Sequence, residues 1–345
     1  MHNNNNLTFL RWIAALMVLY GHAFVFMGLA EPVFMEHMKL GPLGVTIFFS
    51  ISGYLVAQSW DRDPHVLHFL VKRSLRIFPG LAVCIFLSAL VLGPMLTTLS
   101  LSEYFRHPAT LGYLDNLYLY TTFYLPGVFE DNRVPNAVNG SLWSLPAEFS
   151  MYLGLALFGF IRSPRWLLLS ITCILMALSG LWANQVTEML VFYRTDIRQV
   201  VIYGAYFWVG AAFHQMNVSR YFSLSNVALA CILWLVLTRW PQAFMIGSWL
   251  ILPFLVLAFG LASHPLLTKL NRFDYSYGIY IYAFPVQQTL ALISPHMNIW
   301  LHIILASAIT LVLSGLSWHF IEKKALTLKP GRKLHHGEPH AKLQP

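Results

Sequence analysis

The chain has 345 residues, 57% of them hydrophobic and only 10% charged, against roughly 25% charged in an ordinary soluble domain. With a mean hydropathy of +0.60, it carries more apolar surface than a soluble protein of this length can hide, and far too much for a disordered one. The three cysteines, Cys84, Cys173 and Cys231, are odd in number and sit in apolar runs, which excludes a disulfide scaffold. The formal charge of +8 comes from residues lying between apolar runs, so it reads as membrane topology and not as a nucleic-acid surface.

Runs long enough to span a bilayer fall at about 9–29, 43–60, 77–96, 143–161, 166–184, 198–214, 222–238, 243–262, 276–293 and 298–320. The expected fold is therefore all-α and polytopic, with about ten transmembrane helices. The first run has no basic leader and holds Arg11 and His22, so it reads as a retained helix rather than a signal peptide. Ten spans place both termini on one side. With the termini in the cytoplasm, sixteen Lys and Arg lie inside and six outside, and the positive-inside rule selects that orientation. The connection 97–142 is long and rich in Tyr and Phe. It reads either as an interfacial aromatic belt or as a lid, partly re-entrant, over a cavity. The chain divides into a membrane domain, 1–326, and a polar cytoplasmic tail, 327–345, expected to be disordered. The tail's His335, His336 and His340 read as solvated rather than metal-binding.

An ionisable residue inside a span costs roughly 2.5–3.5 kcal/mol at the bilayer centre, which makes it a functional candidate. Arg11 and His22 are eleven residues apart, three turns plus about 20°, and so share one helix face about 16 Å apart along the axis. Arg11 could instead snorkel to the headgroups, and His22 could simply bond a neighbouring helix. Read functionally, His22 is a neutral buried imidazole able to accept a proton. Lys72, Arg73 and Arg76 flank the third run. They either orient it or form a phosphate clamp, since guanidinium pairs bind phosphate bidentately. Glu148 is the one acid inside an expected span, just after Pro146 in the first turn of its helix. It either meets the helix dipole or orients a histidine or an acceptor hydroxyl. Ser141, Trp143 and Ser144 before it could contact a sugar, the indole by stacking and the hydroxyls by hydrogen bonds. No metal-binding pattern is read in the membrane domain.

These sites, in this order, resemble the acyltransferase 3 family of integral-membrane O-acyltransferases. LTFLRWIAALMVLYGH is similar to the family's first helix, and FFSISGYL, from Phe48 to Leu55, to its second-helix motif. KRSLRIFP supplies the R-x-x-R pair as Arg73 and Arg76, and SLWSLPAEFSMY carries Trp143, Ser144, Leu145, Glu148 and Tyr152. FDYSYGIYIYAFPV and FIEKKAL resemble the late segments, so the likeness spans about residues 7–326. There are three departures. Thr8 stands where the family has Asp, which leaves Arg11 without its expected carboxylate. Ala283 replaces the late His, and Lys324 the closing Pro.

The resemblance implies transfer of an acyl group, most often acetyl, from cytoplasmic acetyl-CoA or another acyl-CoA to a hydroxyl of a glycan or its lipid-linked precursor at a bacterial inner membrane. CoA would be a donor substrate, with no permanently bound cofactor and no nucleic-acid partner. His22 is then the expected base and Glu148 its helper. Arg73 and Arg76 would hold the donor's phosphates, Arg11 and Lys72 would assist, and Ser141, Trp143, Ser144 and Tyr152 would contact the acceptor. No esterase-like domain is expected to follow, so the membrane domain would complete transfer alone or with a partner. The rival reading is a proton-coupled transporter of a glycan or lipid using His22 and Glu148 as a relay.

Overall fold

The computed structural model describes residues 4–160, 165–185 and 190–330. It is an all-α bundle, and its two sheets are two-residue antiparallel pairs, 33–34 with 38–39 and 191–192 with 195–196. The ten apolar runs fold as α1 (Leu7–Phe26), α2 (Leu40–Arg62), α3 (Val66–Leu87), α4 (Ser144–Phe160), α5 (Arg165–Gln185), α6 (Ile197–Gln215), α7 (Leu224–Leu237), α8 (Pro241–Leu261), α9 (Ser276–Ile293) and α10 (Ile299–Ser317). Helix α3 continues to Leu96 through a widened turn at Ser88–Leu92, and α10 to Thr327 through another at Trp318–Glu322. Among the described residues, five helices are long and apolar enough to cross a membrane: Leu7–Phe26, Leu40–Arg62, Val66–Leu96, Pro241–Leu261 and Ile299–Thr327.

Helix α2 is the axis of the bundle, because its small residues let backbones meet. A Cβ on Gly53 would stand 1.8 Å from the Phe207 carbonyl oxygen of α6, and one on Gly210 2.3 Å from that of Ser50. On the other side of α2, a Cβ on Gly44 would meet the Ala14 carbonyl of α1 at 2.4 Å. Thr46 and Ser50, both buried, donate their hydroxyls to Leu43 and Thr46 carbonyls one turn back, so the apolar interior sees no free hydroxyl there. Helices α9 and α10 form an antiparallel hairpin in which Gly278 abuts Ser314, and α1 packs against both.

Segment 97–142 is not a surface belt of tyrosines. Tyr104, Tyr113 and Phe129 are fully buried, and only part of its aromatic content is exposed, Tyr118 most of all. The Tyr104 hydroxyl donates to the Ala89 carbonyl in the widened turn of α3. The segment then dives inward. Asn132 donates to Gln288, Gln288 donates to the Val134 and Ala137 carbonyls, and Asn139 donates to the Ile281 carbonyl of α9. Backbone at that depth is tolerated only when protein groups satisfy it, which is what these amides do. The consequence is positional. Helix α4 begins deep in the bundle, so Glu148 lies beside Ser52 at the middle of α2 and not at the rim.

The expected tail is helical to Thr327 and is described to residue 330; residues 331–345, with His335, His336 and His340, lie outside the described residues.

Candidate active site

A cavity of about 500 Å³ opens between α1, α2, α3, α4 and α9. Six cationic side chains line it, Arg11, Arg62, Lys72, Arg73, Arg76 and Lys329, against two carboxylates, Glu148 and Asp274. Four sequence-predicted cations, Arg11, Lys72, Arg73 and Arg76, are therefore brought together with Glu148, Ser144 and Tyr152 in one chamber. The charged groups cluster at the end of the bundle where α1 begins.

Arg11 does have a carboxylate, though not from its own helix. Asp274, just before α9, accepts from Arg11 at 2.7 Å and from Arg76 at 2.9 Å, and Ser276 donates to its other oxygen at 2.6 Å. The carboxylate that α1 itself does not offer Arg11 is thus supplied from 263 residues along the chain. Burial alone would raise the Asp274 carboxyl; the Arg11 and Arg76 guanidiniums and the Ser276 hydroxyl outweigh it and bring it down to about 2. So held, the carboxylate contributes stability that is complete above its ordinary value of 3.8 and fades as pH falls through 2. Arg76 also faces Glu322 at 3.9 Å, whose other oxygen accepts from Ser317 at 2.9 Å. Lys72 is paired with Asp63 at 2.5 Å.

Arg73 differs. Among the described residues it forms no ion pair. Its guanidinium donates to Ser59 at 3.2 Å, lies over the Phe69 and Tyr152 rings at 5.8 and 5.9 Å, and leaves a buried Nε without an acceptor. Lys329, beyond the last helix, adds a sixth cation. Burial, and then Arg73, Arg76 and Arg11, push its ammonium down to about 8.

Deeper in the cavity, Glu148 Oε1 accepts from Ser52 Oγ at 2.8 Å and from the Tyr152 hydroxyl, while Ser52 and Tyr152 lie 3.1 Å apart. The Ser144 hydroxyl meets Tyr280 at 2.7 Å, and Tyr280 donates to the Ser141 carbonyl at 3.0 Å. This hydroxyl-rich floor can hold a polar reactant without presenting a formal positive charge.

His22 is not among the residues lining this cavity. It is half-buried, with its ring edge-on to Phe284 at 5.4 Å and Phe26 at 6.2 Å, and its Nδ1 is buried without a partner. Phe284 in turn fills the space a Cβ on Gly140 would take, 2.5 Å from it. One aromatic ring therefore lies between His22 and the start of the Ser141–Ser144 segment, and Tyr280, one turn from Phe284, lines the cavity. Glu148 does not touch His22; it serves Ser52 and Tyr152. Ser141 is buried with an unpartnered hydroxyl, and Trp143 packs on Tyr203 at 5.2 Å, so neither lines the cavity.

Sequence reading missed Asp274, Lys329 and Glu322. The available signal for Asp274 was an acid directly before an expected span that follows the basic pair Lys269 and Arg272.

An α-helical bundle with several membrane-length apolar helices around a cation-lined, hydroxyl-floored chamber has the build of a multi-pass membrane protein with an internal polar site. The family model described as "Acyltransferase domain" matches residues 4–319, and the chain belongs to that family, acyltransferase 3. Its similar proteins include the "O-acetyl transferase" of Shigella phage Sf6, 31% identical over 336 residues, covering 95% of this chain and 97% of that protein. "Nodulation protein 10" of Rhizobium leguminosarum bv. viciae is 30% identical over 358 residues, covering 95% and 94%. The "Peptidoglycan O-acetyltransferase OatA" of Listeria monocytogenes serovar 1/2a is 26% identical over 334 residues, covering 82% of this chain and 51% of that longer protein. No solved structure matches. The chain is a membrane acyltransferase of the O-acetyltransferase class.

Proposed function

We propose that the chain transfers an acetyl group from cytoplasmic acetyl-CoA to a hydroxyl of a cell-surface glycan or its lipid-linked precursor at the bacterial inner membrane. In this reading all ten helices cross the membrane and both termini are cytoplasmic, so the charged mouth of the cavity faces the compartment that supplies CoA. The observation that carries the reading is a set of six cations, three of them (Arg62, Arg73 and Lys329) without an ion pair among the described residues, on the wall of a chamber that also holds Glu148, Ser52 and Tyr152. Arg73, free of ion pairs among the described residues, grips a phosphate of the donor, with Lys72, Arg62 and Lys329 adding charge. Arg11 and Arg76, which share Asp274, shape the wall.

The donor's thin pantetheine arm carries the thioester to the hydroxyl floor. The acceptor hydroxyl attacks the thioester carbonyl and gives its proton to the base, which returns it to the departing sulfur, so that CoA leaves as the thiol. For His22 to be that base, the Phe284 ring has to turn aside and bring the imidazole within hydrogen-bond reach of the hydroxyl. General-base help of this kind contributes about 10²–10⁴-fold. A second reading has a specific observation in its favour: Glu148 lies in the cavity, whereas His22 does not line it. In that reading Glu148 is the proton acceptor. A transporter would move solute without releasing CoA thiol.

The test compares the surface glycan of cells lacking the chain, carrying it, and carrying His22→Ala. Base-labile ester, read by mass, is expected only with the wild-type chain. Ester formed at the wild-type level by His22→Ala would remove His22 from the chemistry and leave Glu148 as the base. No ester in any strain, with solute moving instead, would overturn the enzymatic reading.

Lys329 gives the donor step a pH signature. Its ammonium is charged below about 8 and neutral above. The Michaelis constant for acetyl-CoA is expected to rise as pH increases through 8 in the wild-type protein, and to be flatter across that range in Lys329→Met. An identical rise in both proteins would assign the effect to another group.

A further inference from the structure

Leu19, Ala283 and Ala306 form one buried cluster at which α1, α9 and α10 meet. Helices α1 and α9 run in the same direction and α10 runs back, so one turn further from the Arg11 end brings His22 on α1, Gln287 on α9 and His302 on α10. Gln287 and His302 are both 0% exposed. Neither amide atom of Gln287 and neither ring nitrogen of His302 has a hydrogen-bond partner, and the same holds for Nδ1 of His22. The adjacent Gln288 is the contrast, since its amide is fully engaged with Asn132, Val134 and Ala137. A buried polar group left unpaired costs about 1–3 kcal/mol, so three at one helical level call for an explanation that apolar packing does not give.

We propose that His302 and Gln287 are positioning residues for His22: unpaired as they stand, they reach Nδ1 by side-chain rotation within this group and fix the ring in one tautomer with Nε2 left to act. An imidazole offers one donor and one acceptor in its neutral form, and the nitrogen left basic is set by what the other nitrogen bonds. A carboxamide and a second imidazole each supply a donor and an acceptor, so the group can satisfy Nδ1 without placing a charge among Leu19, Val286 and Leu290. His302 stands in the first turn of α10, yet its residue surface is wholly covered, so it faces neither cavity nor lipid. The inference rests on the reading of His22 as the base and deepens it.

Protein labelled with ¹⁵N-histidine and held in lipid nanodiscs supplies the test, with the His22 resonances assigned by difference against His22→Ala. The wild-type ring is expected to show a single neutral tautomer, and His302→Leu a mixture. In transfer assays His302→Leu is expected to lower kcat by about tenfold or more, with both Michaelis constants within about twofold, and His302→Gln to recover part of the loss. Two tautomers in the wild-type protein, as in free imidazole, would overturn the inference even if the leucine variant failed to fold. Loss of transfer in His22→Ala beside an unchanged kcat in His302→Leu would overturn the inference alone. Full transfer by His22→Ala would overturn the base reading and the inference with it.

Discussion

Glu148→Gln is expected to lower kcat by about two orders of magnitude or more while leaving the fold intact. Glu148 Oε1 is the common acceptor for Ser52 and Tyr152. An amide of the same shape can keep its oxygen where Oε1 stands and accept from both hydroxyls, but it carries no charge and places an N–H where Oε2 stood. Both bonds lose their charge assistance, and any role for Glu148 in deprotonating the acceptor is lost. The loss is expected in both readings of the base, but its pattern separates them. If His22 is the base, Glu148→Gln weakens acceptor binding along with kcat. If Glu148 is the base, the acceptor's Michaelis constant stays nearly constant and kcat carries the whole loss. The measurement is a steady-state series in nanodiscs with thermal unfolding as a control. A variant that folds normally and turns over within a few fold of wild type would remove Glu148 from the mechanism.

The second large effect concerns the cations, and the structure divides them. Arg76 is held by Asp274 at 2.9 Å and faces Glu322 at 3.9 Å. Its removal would strand carboxylates in the bundle, an effect of about 3–5 kcal/mol for a buried pair, and would confuse binding with folding. Arg11 shares the same carboxylate. Arg73 forms no ion pair among the described residues, so Arg73→Ala strands no salt-bridged acid, although it also takes a cation from over the Tyr152 ring. A charge-assisted contact to a phosphate is worth about 1.5–3 kcal/mol, and each 1.4 kcal/mol is tenfold in affinity.

Much of this was legible before any coordinates. The ten apolar runs each became a helix, because period and length fix helices where lipid or packing covers every face. Arg11, Lys72, Arg73, Arg76, Glu148 and Tyr152 stood out because charge and hydroxyl are costly in such runs, and they share one chamber. Asp274 did not stand out, since its pairing with Arg11 spans 263 residues and no local pattern encodes it. The depth of Glu148 was also illegible. It depends on segment 97–142 turning into the bundle, which long-range amide bonds from Asn132, Asn139 and Gln288 support. His302 and Gln287 sit in runs apolar enough to read as plain span, and only their shared level beside His22 gives them meaning.

The donor site is the claim on which the rest depends, and Arg73→Ala tests it most directly. With purified protein, labelled acetyl-CoA and a glycan acceptor, the account predicts that the donor's Michaelis constant rises at least about tenfold. The acceptor's constant should stay within about twofold. An unchanged donor constant, or a rise confined to the acceptor, would contradict it.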